Sequence, residues 1–101
     1  MKTGIVSTIG NTPLVELTRL APEHDIRLFA KLEAFNPGGS IKDRAAFHIL
    51  SSALHSGTIA PGSTIIESSS GNMGIGLAQI CSYLNLNFIC VVDPKTTQQN
   101  I

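Results

Sequence analysis

Lys42 stands where a purely structural lysine gains little. It follows Asn36-Pro37-Gly38-Gly39-Ser40-Ile41 and precedes Asp43-Arg44, and the apolar periodicity beyond it makes it the second residue of a helix. The positive end of a helix disfavours a cation by a few tenths to ~1 kcal/mol. The same field favours the free amine, the form in which lysine acts as nucleophile and base. The plain alternative is a solvated surface lysine paired with Asp43 or Glu67, and for a lone first-turn lysine that alternative is the better one. The Pro-Gly-Gly-Ser turn, with bare amides and room for close approach, moves the balance toward chemistry.

A second loop, Ser68-Ser69-Ser70-Gly71-Asn72-Met73-Gly74, crowds three hydroxyls, a carboxamide and free N–H groups at another helix start. Capping uses one or two such groups. The surplus suits an anion, a carboxylate or a phosphate. Gly71, Gly74 and Gly76 run G-x-x-G-x-G, which is not the dinucleotide fingerprint G-x-G-x-x-G.

Other reactive side chains carry less. His24, His48 and His55 are scattered, and the seven-residue spacing of the last two suits surface positions better than a metal. Cys81 falls on an apolar helix face and Cys90 in an apolar strand, so both read as packing residues. Arg44 suits a substrate carboxylate or an internal pair with Asp43 or Glu33 equally well.

These loops need elements to hold them. Leu28 to Glu33 reads as a strand. Ile41, Ala45, Ile49 and Ala53 recur every four residues beside Ala46, Leu50 and Leu54, which predicts a helix over 41–56. Ser40 is its expected N-cap, with Asp43 completing a short-armed capping box, and Gly57 its stop. Thr64 to Ser68 is a β-branched strand after Pro61-Gly62. A helix from about Met73 to Leu84 follows. Phe88 to Val92 then reads as a strand covered on both faces, and Lys95 to Ile101 as the entry to a further helix. Strand, helix, strand, helix, strand implies an α/β fold: a parallel sheet with helices on its faces. Ligands of such folds sit beyond the carboxyl ends of the strands, where both loops lie.

The 101 residues suffice for one small domain with a modest core. Seven basic and seven acidic residues give a net charge of +0, which argues against nucleic acid and against a polybasic membrane anchor. No apolar run reaches the ~18–20 residues of a membrane span, the N-terminus has no secretory pattern, and the two cysteines form no CxxC pair. A reduced, cytoplasmic protein without a metal site is expected.

Three stretches then resemble one family in order: Ile9-Gly10-Asn11-Thr12-Pro13-Leu14, Ala30-Lys31-Leu32-Glu33 with Asn36 to Arg44, and Glu67-Ser68-Ser69-Ser70-Gly71-Asn72-Met73-Gly74. Together they resemble the start of the cysteine synthase family, fold-type II enzymes that use pyridoxal 5′-phosphate (PLP). The resemblance spans nearly the whole chain. It implies that Lys42 is the Schiff-base lysine and Asn72 the partner of the PLP ring hydroxyl. Ser69, Ser70 and the Met73 backbone would hold the substrate carboxylate, with Gly71 and Asn72 in the same substrate-binding loop. The implied reaction is β-replacement: Lys42 removes the α-proton, the β-substituent leaves, and a nucleophile adds.

Within that family Cys90-Val91-Val92-Asp93-Pro94-Lys95 looks most like the branch that makes 2,3-diaminopropionate precursors for siderophores or peptide natural products from O-phospho-L-serine and L-glutamate. Met73, where cysteine synthases usually have Thr, fits the same branch. The expected product is written N-(1-amino-1-carboxyethyl)-glutamate. A cysteine synthase using O-acetylserine and sulfide, or an inactive fragment acting as a binding module, are the alternatives. Family members are roughly three times as long and have two domains. About 1–35 would therefore belong to the larger domain and about 36–101 to a smaller, mobile one, in an enzyme expected to be a homodimer acting on small amino acids. The loop for the PLP phosphate and the partner of its ring nitrogen would lie beyond Ile101, so the chain is expected to be an N-terminal piece of an enzyme or a truncated gene product.

Overall fold

The computed structural model describes residues 4–95 apart from 21, 24 and 70. A 3-10 turn (Ile5–Thr8) leads to β1 (Leu14–Glu16) and β2 (Phe29–Lys31), and a second 3-10 turn (Glu33–Phe35) leads to α1 (Lys42–Ser56). Then come β3 (Thr64–Ser68), α2 (Asn72–Tyr83) and β4 (Asn87–Val91).

The helices form where the apolar spacing requires them. α1 ends at Gly57, which adopts φ 79° and donates its amide to the Leu54 carbonyl at 3.2 Å, a left-handed stop that favours glycine. Its inward row is Ala46 and Leu50, with Phe47 and Leu54 half-buried beside them. Against that row α2 sets Leu77, Ile80 and Cys81, and Val6 and Leu86 complete the core. Burying a leucine or isoleucine of this kind contributes about 1.5–3 kcal/mol. The expected companion row is not part of this core: Ile41 is 57% and Ile49 54% exposed. A helix has one inward face here because only α2 packs extensively on α1.

The α/β class holds, but the strands divide into two pairs among the described residues. β3 and β4 are parallel, with Thr64 opposite Asn87 and Ser68 opposite Val91, and α2 is the crossover between them. β2 does not join them. It pairs antiparallel with β1, Leu14 opposite Lys31, in a ribbon closed on its outer side by Arg27, which clasps Glu16 at 2.9 Å and lies 5.1 Å from the centre of the Phe29 ring. The three-strand parallel order is thus corrected: β2 makes its ladder with β1 and not with β3 or β4. β4 also differs from expectation. Ile89 and Val91 are exposed, because among the described residues α2 covers one face and nothing covers the other. The helix entry expected after Lys95 lies outside the described residues.

Candidate active site

α1 begins with the amides of its first three residues already satisfied. Ser40 Oγ accepts from the Lys42 amide at 3.1 Å, the Ser40 carbonyl from Asp43, and the Ile41 carbonyl from Arg44. Ser40 therefore does act at this end, although the residue flanking the helix is Ile41, already in helical conformation. Asp43 does not complete a capping box. Its carboxylate turns to the Gly38 amide instead, and the residue is 1% exposed.

Lys42 lies between two anchored neighbours. On one side is buried Asp43. On the other, Arg44 places Nε 2.6 Å and a terminal nitrogen 3.1 Å from the two oxygens of Glu33. Thr12 Oγ1 donates to the same carboxylate and Asn36 Nδ2 reaches it at 3.1 Å. Asn36 Oδ1 accepts from the Gly10 amide at 2.7 Å, so the network ties the 9–13 loop to the turn in front of α1. The Arg44 guanidinium, then the Thr12 hydroxyl, lower the Glu33 carboxyl to about 2, against the opposing effect of burial. Of the two earlier readings of Arg44, the internal pair with Glu33 is the one present. Lys42 itself is exposed, and its ammonium has no hydrogen-bonding partner among the described residues.

α2 begins differently. The first four amides of a helix lack intrahelical acceptors. Here Ser69 Oγ serves two of them, Gly74 at 3.0 Å and Gly71 at 3.4 Å. Those of Asn72 and Met73 are left. Ser69 therefore acts as a cap, and the donors without a partner among the described residues at this helix start are the two amides and the exposed Asn72 side chain. Met73 and Gly71 are half-buried. Ser70 lies outside the described residues, as does His24.

The glycines that failed the dinucleotide pattern have a packing reason. A Cβ at Gly76 would lie 3.3 Å from Asp43 Oδ1 and 3.4 Å from both the Lys42 carbonyl and Ala46. One at Gly74 would lie 3.3 Å from Ser69 Oγ and from Cys90 Sγ. Gly76 thus lets α2 close onto the first turn of α1. Asn72 precedes Gly76 by one turn on the same helix row. The network around Glu33 and the role of the glycines escaped the sequence reading; Glu33 and Arg44 flanking the Pro-Gly-Gly turn were the available signal. Cys90 is exposed rather than packed, its Sγ donating to the Ser69 carbonyl at 3.1 Å. It borders an open groove of about 450 Å³ between α2 and β4. Cys81 is buried as expected, and burial raises its thiol pKa. No group of three or more metal-ligating side chains occurs among the described residues. No helix among them is long and apolar enough to cross a membrane.

Comparison with known proteins gives the family and the fold. Residues 5–101 match the family described as pyridoxal-phosphate dependent enzyme. Two curated relatives are named N-(2-amino-2-carboxyethyl)-L-glutamate synthase. The one from Cupriavidus metallidurans is 53% identical over 96% of this chain, and the one from Ralstonia nicotianae 54% identical over 96%. The chain spans 28% and 29% of their lengths. Among solved structures, an O-ureido-L-serine synthase matches with TM-score 0.93 and 41% identity, over 99% of this chain and 31% of its own. An O-acetylserine-dependent cystathionine β-synthase from Helicobacter pylori matches with TM-score 0.86 and 35% identity, over 99% of this chain and 33% of its own.

Proposed function

The chain belongs to the pyridoxal-phosphate dependent enzyme family, as the N-terminal part of a fold-type II member, and from that premise we propose that it carries the lysine half of a β-replacement active site. The observation that carries this reading is the close approach at Gly76, which brings α2 against the Lys42 backbone in the first turn of α1, with Lys42 itself exposed.

The residues present fit PLP. An exposed lysine held between two anchored neighbours can be linked covalently, and Asn72 has a free carboxamide for the ring hydroxyl. When bound, the cofactor supplies an electron sink for charge at the substrate α-carbon. Lys42 Nζ, as the free amine, takes the α-proton and returns a proton when the product is complete. Ser69, Ser70 and the Met73 amide, with Gly71 and Asn72 in the same loop, hold the substrate carboxylate at a helix start, where an anion is favoured by both donors and dipole. The 9–13 loop and the Glu33–Arg44 pair keep the Lys42 turn from drifting.

For substrates, the names of the two curated relatives favour L-glutamate as acceptor, and O-phospho-L-serine as donor rests on the sequence resemblance alone. Bond formation from the glutamate nitrogen, which gives up a proton, to the serine β-carbon, whose bond to the departing phosphate oxygen breaks, makes the added group 2-amino-2-carboxyethyl, which corrects the locants written from sequence. The complete enzyme then works as a cytoplasmic homodimer supplying 2,3-diaminopropionate precursors, for siderophores or peptide natural products. Residues to about 35 lie in its larger domain and 36–101 in the smaller one; the separation of the β1–β2 ribbon from the β3–β4 pair supports that boundary.

The test is product analysis by mass spectrometry on the complete enzyme carrying this segment. O-phospho-L-serine plus L-glutamate should give the coupled diamino acid, and Lys42→Ala should lose both product and the cofactor label fixed by borohydride. Cysteine from O-acetylserine and sulfide, with no coupled product, would replace this reading by a cysteine synthase.

A further inference from the structure

Asp43 has a burial that its chemistry does not reward. It is 1% exposed, Oδ2 accepts from the Gly38 amide, and Oδ1 is the one buried side-chain polar atom among the described residues with no hydrogen-bond partner. A buried carboxylate oxygen without a partner is costly, and the helix-start field offsets part of that cost only. An apolar residue would fill the space without it. The surroundings explain why none does. The carboxylate sits in a slot between two bare backbones. A Cβ at Gly38 would fall inside it, and one at Gly76 would lie 3.3 Å from Oδ1.

Resting on the function proposed above, we propose that Asp43 is a positioning residue: it fixes the offset between Lys42 and Asn72 by joining three segments at one point. The segments are the 37–40 turn through the Gly38 amide, the first turn of α1 through its own backbone, and α2 through contact at Gly76. Lys42 and Asn72 belong to different helices, and among the described residues Asp43 is the side chain adjacent to Lys42 that touches both the turn and α2. The slot accepts a side chain of this length that can receive one amide hydrogen bond. Asn has that shape, Ala lacks the acceptor, and Glu is one methylene too long.

The experiment uses the complete enzyme with Asp43→Asn, Asp43→Ala, Asp43→Glu and Gly76→Ala. Two quantities are read: the fraction of Lys42 carrying borohydride-fixed cofactor at saturating PLP, by peptide mass spectrometry, and kcat and KM for the amino-acid donor. Asp43→Asn should keep labelling and kcat within about threefold of wild type. Asp43→Ala and Asp43→Glu should lower kcat at least ~10-fold, since misplacement by about 1 Å can cost up to ~100-fold. Gly76→Ala leaves the Gly38 bond in place and moves α2, so it should preserve Lys42 labelling while lowering kcat. Variants with melting midpoints equal to wild type and unchanged kcat would overturn the positioning role. So would an Asp43→Asn as impaired as Asp43→Ala, which would point to the charge rather than the shape. If wild-type enzyme itself fails to label at Lys42, the cofactor reading falls and this proposal falls with it.

Discussion

Glu33 is the residue whose ionisation the network uses most. Its carboxyl receives the Arg44 guanidinium, the Thr12 hydroxyl and the Asn36 amide, and is lowered to about 2. A carboxyl whose native value lies below its unfolded one adds stability above the unfolded value and loses it as pH falls through the native one. For Glu33 that window opens near the ordinary ~4.3 and closes at about 2. The melting midpoint of Glu33→Gln should therefore lie below wild type at neutral pH by a constant margin, and the margin should shrink as pH falls through this window. A margin that stays constant down to pH 2 would show that the carboxylate's charge is not what Arg44 needs. Part of this was legible in the sequence: Arg44 was seen to have two possible uses. The choice between them was not, because Glu33 reaches it only after the 3-10 turn folds the chain back, and no periodicity encodes that turn.

Among the elements, the two apolar rows of α1 separate cleanly. Leu50 is 3% exposed and packs against α2, whereas Ile49 is 54% exposed. Leu50→Ala should cost about 2–4 kcal/mol, the range for a buried leucine that leaves a cavity, and Ile49→Ala less than ~0.5 kcal/mol in this chain. Urea melts of the two variants compare them directly, and equal losses would mean the exposed row is packed in solution. Both helices, the Gly57 stop of α1 and the β3 and β4 strands were readable, because 3.6-residue spacing, Gly57 and β-branched runs are local signals. Which of two apolar rows turns inward was not local. It follows from Gly76, whose missing side chain admits α1 at Ala46 rather than at Ile49. Asp43 was misread for the same reason: a capping box is defined by sequence spacing, while its true partner, the Gly38 amide, is set by the turn. The loop of serines was read as richer in free donors than it is, since Ser69 spends its oxygen on Gly71 and Gly74.

As a whole the molecule is open. Its radius of gyration is 16.9 Å, with extents of 55 × 39 × 22 Å, against about 13 Å for a compact chain of 100 residues. Ile41, Ile49, Ile66, Ile89 and Val91 all leave more than half their surface in water. Apolar surface of that extent favours association. Purified alone, the 101-residue chain should elute larger than a monomer and bind PLP weakly, because Lys42 and the Asn72 carboxamide, the groups proposed to hold the cofactor, would supply only part of its site. A monomer that binds PLP saturably at micromolar concentration would show a more self-sufficient unit. The strand pairings carry a different consequence, in time rather than in space. Leu14 meets Lys31, and Thr64 meets Asn87 across one helix, so each closure spans a short stretch of chain. Short closures are fast, and folding rates rise as contacts become more local. In the complete enzyme this segment should therefore gain protection ahead of pairings that bridge distant parts of the sequence. Pulsed hydrogen exchange during refolding should find the amides of α1, α2 and β4 shielded in the earliest phase, before any PLP-dependent signal returns.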